Sequence, residues 1–128
     1  MRVFKTKPFA RFASRQRIAD EMLCAAVQRA EGGAIDADLG GGVIKQRLAR
    51  KGEGRSGGFR SIILFRSGDK AFFVYGFPKS GRDDIRRNEL QAFRKLAGEM
   101  LGLDDRALTA AKTNGTIMEV SCYGKAAV

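Results

Sequence analysis

Two apolar runs joined by a short turn, residues 59–66 and 70–77, constrain the fold more than any other part of the chain. Both runs are rich in β-branched and aromatic residues, which favour extended strands. The Ser-Gly-Asp between them has turn composition, so the pair predicts a β-hairpin. A third run, 43–49, alternates apolar and basic residues with the two-residue period of a strand. The sequence therefore predicts a central antiparallel sheet.

The same alternation predicts which side chains share a face. Lys45 and Arg47 are two residues apart and point to one face, outward, while the alternate apolar residues point to the core. Arg60 begins the neighbouring strand. If the three strands are adjacent and antiparallel, Arg60 and the end of the 70–77 strand lie near the same edge of the sheet. The basic groups would then converge in one cleft.

Periodicity and turn composition predict the other elements. We expect a strand at 2–6, a short helix starting at Pro8, a helix at 18–29, a flexible loop at 50–58, a long helix capped by Asp83 or Asp84 and beginning near Ile85, a short helix from Asp104 or Asp105 to Lys112, and a strand at 116–123. A short strand at 34–39 would precede three glycines. Because neither a helix nor a GK[ST] sequence follows those glycines, they favour a tight turn over a phosphate-binding loop.

Length and charge bound the class of protein. The chain has 128 residues, which indicates one domain, 1–128, with a modest core. Lys and Arg number 24 against 14 Asp and Glu, a net charge of +10 that attracts polyanions such as nucleic acid. No apolar run approaches the roughly 20 residues of a membrane span, and the first residues lack a secretory signal. We expect a cytoplasmic protein with no membrane partner.

The reactive residue types are few. There is no histidine, and the two cysteines, Cys24 and Cys122, show no CxxC spacing. Zinc, haem and histidine-based triads are therefore not expected, and neither is any metal or cofactor. We expect both cysteines to be reduced and buried as small apolar residues.

The candidate site is a set of basic residues around the predicted sheet. Arginine binds phosphate through a planar fork and lysine through a compact charge. The proposed members are Lys45, Arg47 and Arg60, with Lys51 and Arg55 on the loop and Lys79 and Arg82 after the hairpin. Neighbouring cations favour the neutral form of a lysine, so Lys45 could act as a general base in RNA cleavage. The alternatives are phosphate binding without catalysis and solvated surface charge. Phe59 and Tyr75 could stack on bases, but their strand positions favour the core.

One long run of the chain resembles a known family. Residues 36–85, DADLGGGVIKQRLARKGEGRSGGFRSIILFRSGDKAFFVYGFPKSGRDDI, resemble toxins of the RelE/ParE superfamily, in the HigB-like branch. The matching features are the ADLGGG turn, the IKQRLAR strand, the GRSGGFRSI strand start and the FFVYGFPKS segment before an acidic helix start. The resemblance extends over about residues 1–121.

The resemblance implies an α+β fold with two N-terminal helices packed on a mostly antiparallel sheet of about four to five strands, followed by C-terminal helices. It implies a toxin paired with an antitoxin, commonly a helix-turn-helix protein. Similar toxins cleave mRNA in the ribosomal A site without metal and leave a cyclic phosphate. Their catalytic basic residues match Lys45, Arg47 and Arg60 here.

This chain departs from the pattern at two positions. Ser80 stands where relatives carry a second arginine, with Lys79 and Arg82 beside it, and Arg86 stands where some carry a tyrosine. Arg86 is therefore placed among the candidate RNA-binding residues. ParE-type members share the fold and inhibit gyrase without cutting RNA. Three functions stay open: a ribosome-dependent mRNA endoribonuclease, a gyrase-inhibiting toxin, and a basic RNA-binding module.

Overall fold

The computed structural model describes residues 1–50, 54–78 and 85–122, with side chains at 1–48, 58–78 and 85–122. The elements in chain order are β1 (Arg2–Thr6), α1 (Lys7–Gln16), α2 (Asp20–Glu31), β2 (Ala37–Gly40), β3 (Val43–Arg50), β4 (Gly54–Arg66), β5 (Lys70–Pro78), α3 (Arg87–Met100), α4 (Asp105–Thr113) and β6 (Ile117–Val120).

The strands form one mixed sheet in the order β2-β3-β4-β5-β1-β6. β1 runs parallel to β5, and every other neighbouring pair is antiparallel. The α+β prediction is confirmed. The described residues form six strands, the number that the residue patterns predict, rather than the four to five that the resemblance implies. β1 precedes α1 and α2 in the sequence, yet it pairs with β5, the second strand of the hairpin, with Arg2 opposite Lys70. Pairing between strands so far apart in sequence leaves no local signal.

The sheet is buried on both faces over its centre. Successive strand residues point to opposite faces, so Val3 and Phe4 enter different cores. Phe9 and Leu23 of α1 and α2 pack on one face with Phe73. Ala97, Leu101 and Leu108 of α3 and α4 pack on the other face with Phe72, in the sheet's second core. The prediction that one face of the sheet packs on the core and the other faces solvent is therefore wrong. The C-terminal helices cover the second face around Val43, and Lys45 and Arg47 lie on that same face farther along β3.

Most element boundaries lie within about two residues of the prediction, but those of β2, β4 and β6 differ more. β2 begins at Ala37 rather than 34, and β6 ends at Val120 rather than 123. β4 begins at Gly54, which pairs with Arg50, so the predicted loop at 50–58 is wrong over its second half. This pair forms beyond a register shift that follows the Leu48–Phe59 pair, in a glycine-rich segment with weak strand propensity. α3 begins at Arg87 rather than near Ile85, with Arg86 as its N-cap. The predicted caps Asp83 and Asp84 lie outside the described residues.

Two glycines permit close packing around the hairpin strands. Gly42 ends the glycine turn with φ of 84°, and a Cβ there would lie 2.9 Å from Leu101 of α3. Gly76 on β5 faces the ring of Phe12, and a Cβ there would lie 2.3 Å from that ring. Any side chain at Gly76 would push α1 away from β5.

A disulfide joins Cys24 of α2 to Cys122, two residues beyond β6, with the Cα atoms 5.5 Å apart. The prediction of two reduced cysteines is therefore wrong. The two positions are 98 residues apart in sequence, so only the fold brings them together. The bridge holds the short edge strand β6 to the helical layer on one face of the sheet.

A charged cluster lies on the other side of the same edge. The Arg2 guanidinium donates from Nε and Nη2 to the two carboxylate oxygens of Glu119, both at 2.9 Å. Lys112 of α4 donates to the same carboxylate at 2.7 Å. The hydrogen bond from Arg2, helped by that from Lys112, lowers the pKa of Glu119 to about 2. The cluster joins β1, β6 and α4.

No helix within the described ranges is long and apolar enough to cross a membrane.

The disulfide predicts a large effect of reductant on stability. Cross-linking about 100 residues removes about 4–5 kcal/mol of chain entropy from the unfolded state. We expect a reductant to lower the urea unfolding midpoint of the protein, and Cys24→Ser/Cys122→Ser to have the same lowered midpoint with or without reductant. A wild-type urea midpoint that is the same with and without reductant would contradict the disulfide. The intact mass after alkylation under non-reducing conditions tests the disulfide directly.

The Glu119 cluster predicts a pH-dependent stability. A lowered folded pKa means that the contribution is fully present above the ordinary value of 4.5 and is lost as pH falls from there to about 2. At pH 7 we expect Glu119→Gln to lower the unfolding free energy by about 1–2 kcal/mol, a value reduced by solvent screening. The deficit should shrink towards pH 2. Glu99→Gln on the exposed side of α3 is the matched control, with no pH-dependent deficit. A Glu119→Gln deficit that persists unchanged at low pH would contradict the assignment.

Candidate functional site

The strand register places three of the predicted site residues on one face of the sheet. Arg47 of β3 lies directly opposite Arg60 of β4, and Lys45 lies opposite Ile62. Directly opposed residues have Cβ atoms about 4.5–5.5 Å apart, and diagonal neighbours such as Lys45 and Arg60 about 7–8 Å. Ile62 belongs to the core beneath α3 and α4, so the basic residues border that core. The predicted adjacency of the three strands is confirmed.

Aromatic residues of β5 continue this face beyond Arg60. Phe77 lies opposite Arg60, and Tyr75 lies opposite Ile62. A register shift at Ile62 and Ile63 adds an extra residue to β5 and turns Tyr75 onto this face. Its half-buried ring lies 5.8 Å from that of Phe77 and 5.9 Å from that of Phe93 on α3.

Phe59 has a different environment from Tyr75. It points to the opposite face, is 6% exposed and meets the Phe12 ring edge-on at 5.8 Å. The core interpretation of Phe59 is therefore confirmed. Tyr75 is the aromatic residue that remains partly accessible beside the basic group.

Asp36 holds Arg47 in place, and sequence reasoning did not assign it to the site. Its carboxylate accepts the backbone N–H of Arg47 at 2.7 Å and lies 3.8 Å from the Arg47 Nε. The Arg47 side chain remains 42% exposed, so this weak ion pair leaves part of the guanidinium available. The only sequence signal was the Asp that alternates with apolar residues before the glycine turn.

Gln46 anchors the strand that carries Lys45 and Arg47. It is fully buried on the opposite face, where its Nε2 donates to the carbonyls of Ala26 and Ala34 at 3.0 and 3.1 Å. Its Oε1 accepts the backbone N–H of Asp36 at 2.7 Å. A buried polar side chain with all these partners fixes its surroundings. The network therefore joins β3 to α2 and fixes the position of Asp36. In the sequence, the only indication of this network was a glutamine on an otherwise apolar face of the strand.

Arg60 differs from Arg47 in having no anionic partner among the described residues. Its half-buried side chain makes no hydrogen bond or ion pair in the part of the chain that the structure describes. Like charges placed directly opposite each other in a sheet are destabilising. The Arg47–Arg60 pair thus leaves an excess of positive charge beside the Tyr75 ring, and this arrangement suits a phosphate with an attached base.

The remaining predicted site residues are not brought to this group by the described structure. Lys51, Lys79 and Arg82 lie outside the described residues, and Arg55 is described only as backbone within β4. Arg86 is exposed, and its backbone N–H donates to the Glu89 carboxylate at 2.7 Å as α3 begins. Among the described side chains, no group of three or more His, Cys, Asp or Glu could hold a metal ion.

Comparison with known proteins agrees with this architecture. The comparison with curated proteins found no match. A family model described as the RelE toxin of the RelE / RelB toxin-antitoxin system matches residues 1–120, which include every described strand and helix. The chain therefore belongs to the RelE toxin family.

Proposed function

We propose that this protein is a ribosome-dependent, metal-independent mRNA endoribonuclease of the HigB-like branch, the toxin of a type II toxin-antitoxin pair that inhibits translation. The observation that carries the proposal is the direct cross-strand pairing of Arg47 with Arg60. Two opposed guanidinium groups cost stability unless an anion lies between or above them. An RNA phosphate supplies that anion.

The three basic residues divide the proposed reaction between them. Lys45 takes the proton of a ribose 2′-OH, and the 2′-oxygen attacks the adjacent phosphorus. Arg47 and Arg60 stabilise the negative charge that builds on the phosphorane. The bond from phosphorus to the 5′-oxygen breaks, and a proton donor neutralises the leaving oxygen. The products are a 2′,3′-cyclic phosphate and a 5′-hydroxyl end.

Tyr75 is our candidate for two roles, the group that stacks on a base and the proton donor to the leaving oxygen. Its ring lies across Ile62 from Lys45 on the same face. The ring could stack on the base next to the scissile phosphate, and its hydroxyl could supply the proton to the leaving oxygen. Asp36 acts through Arg47 and is a positioning residue.

The proposed partners follow from family and charge. Toxins of the RelE family pair with antitoxins, and for this branch we propose a helix-turn-helix antitoxin. The net charge of +10 favours association with ribosomal RNA and mRNA. Lys51, Arg55, Lys79, Arg82 and Arg86 remain proposed RNA contacts.

The second candidate is a toxin that inhibits gyrase without cutting RNA. The Asp36 carboxylate beside Arg47 favours this candidate, because it partly neutralises the guanidinium that would otherwise bind a phosphate. A basic RNA-binding module without toxic activity is the third candidate.

Replacing Arg60 separates these functions. We expect induction of the wild-type protein alone to arrest translation and produce mRNA cuts within codons, mapped by primer extension. Arg60→Ala should reduce cleavage about 10²- to 10³-fold, as expected for loss of a group that stabilises transition-state charge. Arg106→Ala is the control, because this exposed arginine on α4 carries the same charge far from β4 in sequence.

The outcomes discriminate between the candidates. Cleavage that Arg60→Ala abolishes and Arg106→Ala preserves supports the endoribonuclease. Intact transcripts accompanied by a DNA-damage response would support the gyrase inhibitor. Intact transcripts with neither growth arrest nor DNA damage would leave the RNA-binding module.

A further inference from the structure

Helix α1 carries a basic stripe that the proposed reaction does not use. Lys7, Arg11 and Arg15 follow one another at four-residue intervals, and all three are exposed. Residues four apart lie on the same side of a helix, about 6 Å apart along its axis. Arg17, which is also exposed, adds a fourth cation at the C-cap of the helix. We call these four residues the α1 stripe.

The α1 stripe has no acidic partner among the described residues. None of its four side chains makes a hydrogen bond or ion pair with any described residue. Several other basic residues are paired: Arg2 with Glu119, Lys5 with Asp20, and Arg66 and Lys70 with Asp69. These three acids are engaged by cations outside the α1 stripe.

Local stability opposes this arrangement in three ways. Like charges at four-residue spacing repel each other, and a cation at the helix start faces the positive end of the helix dipole. The first turn of α1 contains no acidic residue to offset Lys7. Arg17 adopts the left-handed conformation with φ of 56°, a position that glycine usually takes. The strained backbone of Arg17 and the repulsion between the cations of α1 both lower stability, which indicates that the positive charge of this helix serves a function.

The fold brings the α1 stripe close to the candidate site without merging the two. α1 packs on the opposite face of the sheet from Arg60, through the contact of Phe12 with Phe59. Arg15 and Tyr75 line the same surface cavity of about 210 Å³, which also contacts Val74 and Gly76 near the middle of β5. A long polyanion at this cavity would meet both surfaces.

We propose that the α1 stripe binds the phosphate backbone of double-stranded RNA, at a surface separate from the strand residues that act on the cleaved strand. Protein partners require an apolar centre to their interface, and the apolar side of α1, Phe9 and Ala13, is already buried in the core. Phosphate contacts need only charge at regular spacing. The stripe thus holds a structured RNA while the opposite face handles a flexible strand.

The test compares two double variants with equal charge loss. Arg11→Gln/Arg15→Gln removes the middle of the α1 stripe, and Lys95→Gln/Arg106→Gln removes two exposed cations from α3 and α4. Binding of the full-length protein to a fluorescent RNA duplex is measured by anisotropy over a range of salt concentrations. We expect the stripe variant to bind about tenfold more weakly at low salt and to lose about 2 from the slope of log K against log salt. The control should lose much less.

Stability measurements separate function from structure. Removing the repulsion should leave the urea midpoint of Arg11→Gln/Arg15→Gln unchanged or raised, and Arg17→Gly should raise it while lowering the salt slope by about 1. A lowered midpoint in both variants would assign the stripe a structural role and overturn the proposal. Equal losses of RNA affinity in the stripe and control variants would also overturn it. Binding to polyglutamate tests an acidic protein segment as the ligand: a stripe variant that loses affinity for polyglutamate but keeps its affinity for RNA would overturn the proposal.

The proposal and the cleavage reaction fail independently. Unchanged mRNA cleavage by Arg60→Ala would refute the endoribonuclease proposal and leave the duplex-binding result for the α1 stripe standing. A stripe variant with unchanged duplex binding would refute the stripe and leave the endoribonuclease proposal intact.

Discussion

The alternation of side chains along the two long hairpin strands is the constraint on which the rest of the structure depends. Neighbouring residues such as Ile62 and Ile63, or Phe72 and Phe73, enter different cores. The sheet can bury both sets only if helices cover both faces, which α1 and α2 do on one side and α3 and α4 on the other. Beyond the reach of α3, the second face stays accessible, and the basic residues occupy that part.

Charge is distributed at some cost to stability. Arg47 and Arg60 oppose each other across two strands, and the α1 stripe repeats like charges along a helix. Satisfied interactions elsewhere offset this. Gln46 anchors β3 through buried hydrogen bonds, and Glu119 joins two strands and a helix. The proposed RNA binding needs such uncompensated cations, since a neutralised surface would be more stable but would bind a polyanion less well.

Much of this architecture was predictable from sequence, and several failures share one cause. The hairpin, the helix start at Asp104 and the glycine turn follow from local patterns. The shared face of Lys45, Arg47 and Arg60 followed from strand alternation. Several missed features depend on partners distant in sequence. The bond between Cys24 and Cys122, the contact of Asp36 with Arg47 and the parallel pairing of β1 leave no local trace.

The sequence alone determined the strands, their faces and the strong positive charge, because alternation and composition act over a few residues. Only the tertiary structure decided what those charges do. It placed Arg60 opposite Arg47, and it left both Arg60 and the α1 stripe without an acidic partner among the described residues, while Glu119 and Asp20 pair with Arg2 and Lys5. The physical reason is that a charge's effect depends on its neighbours in space, and the register of the sheet chooses those neighbours.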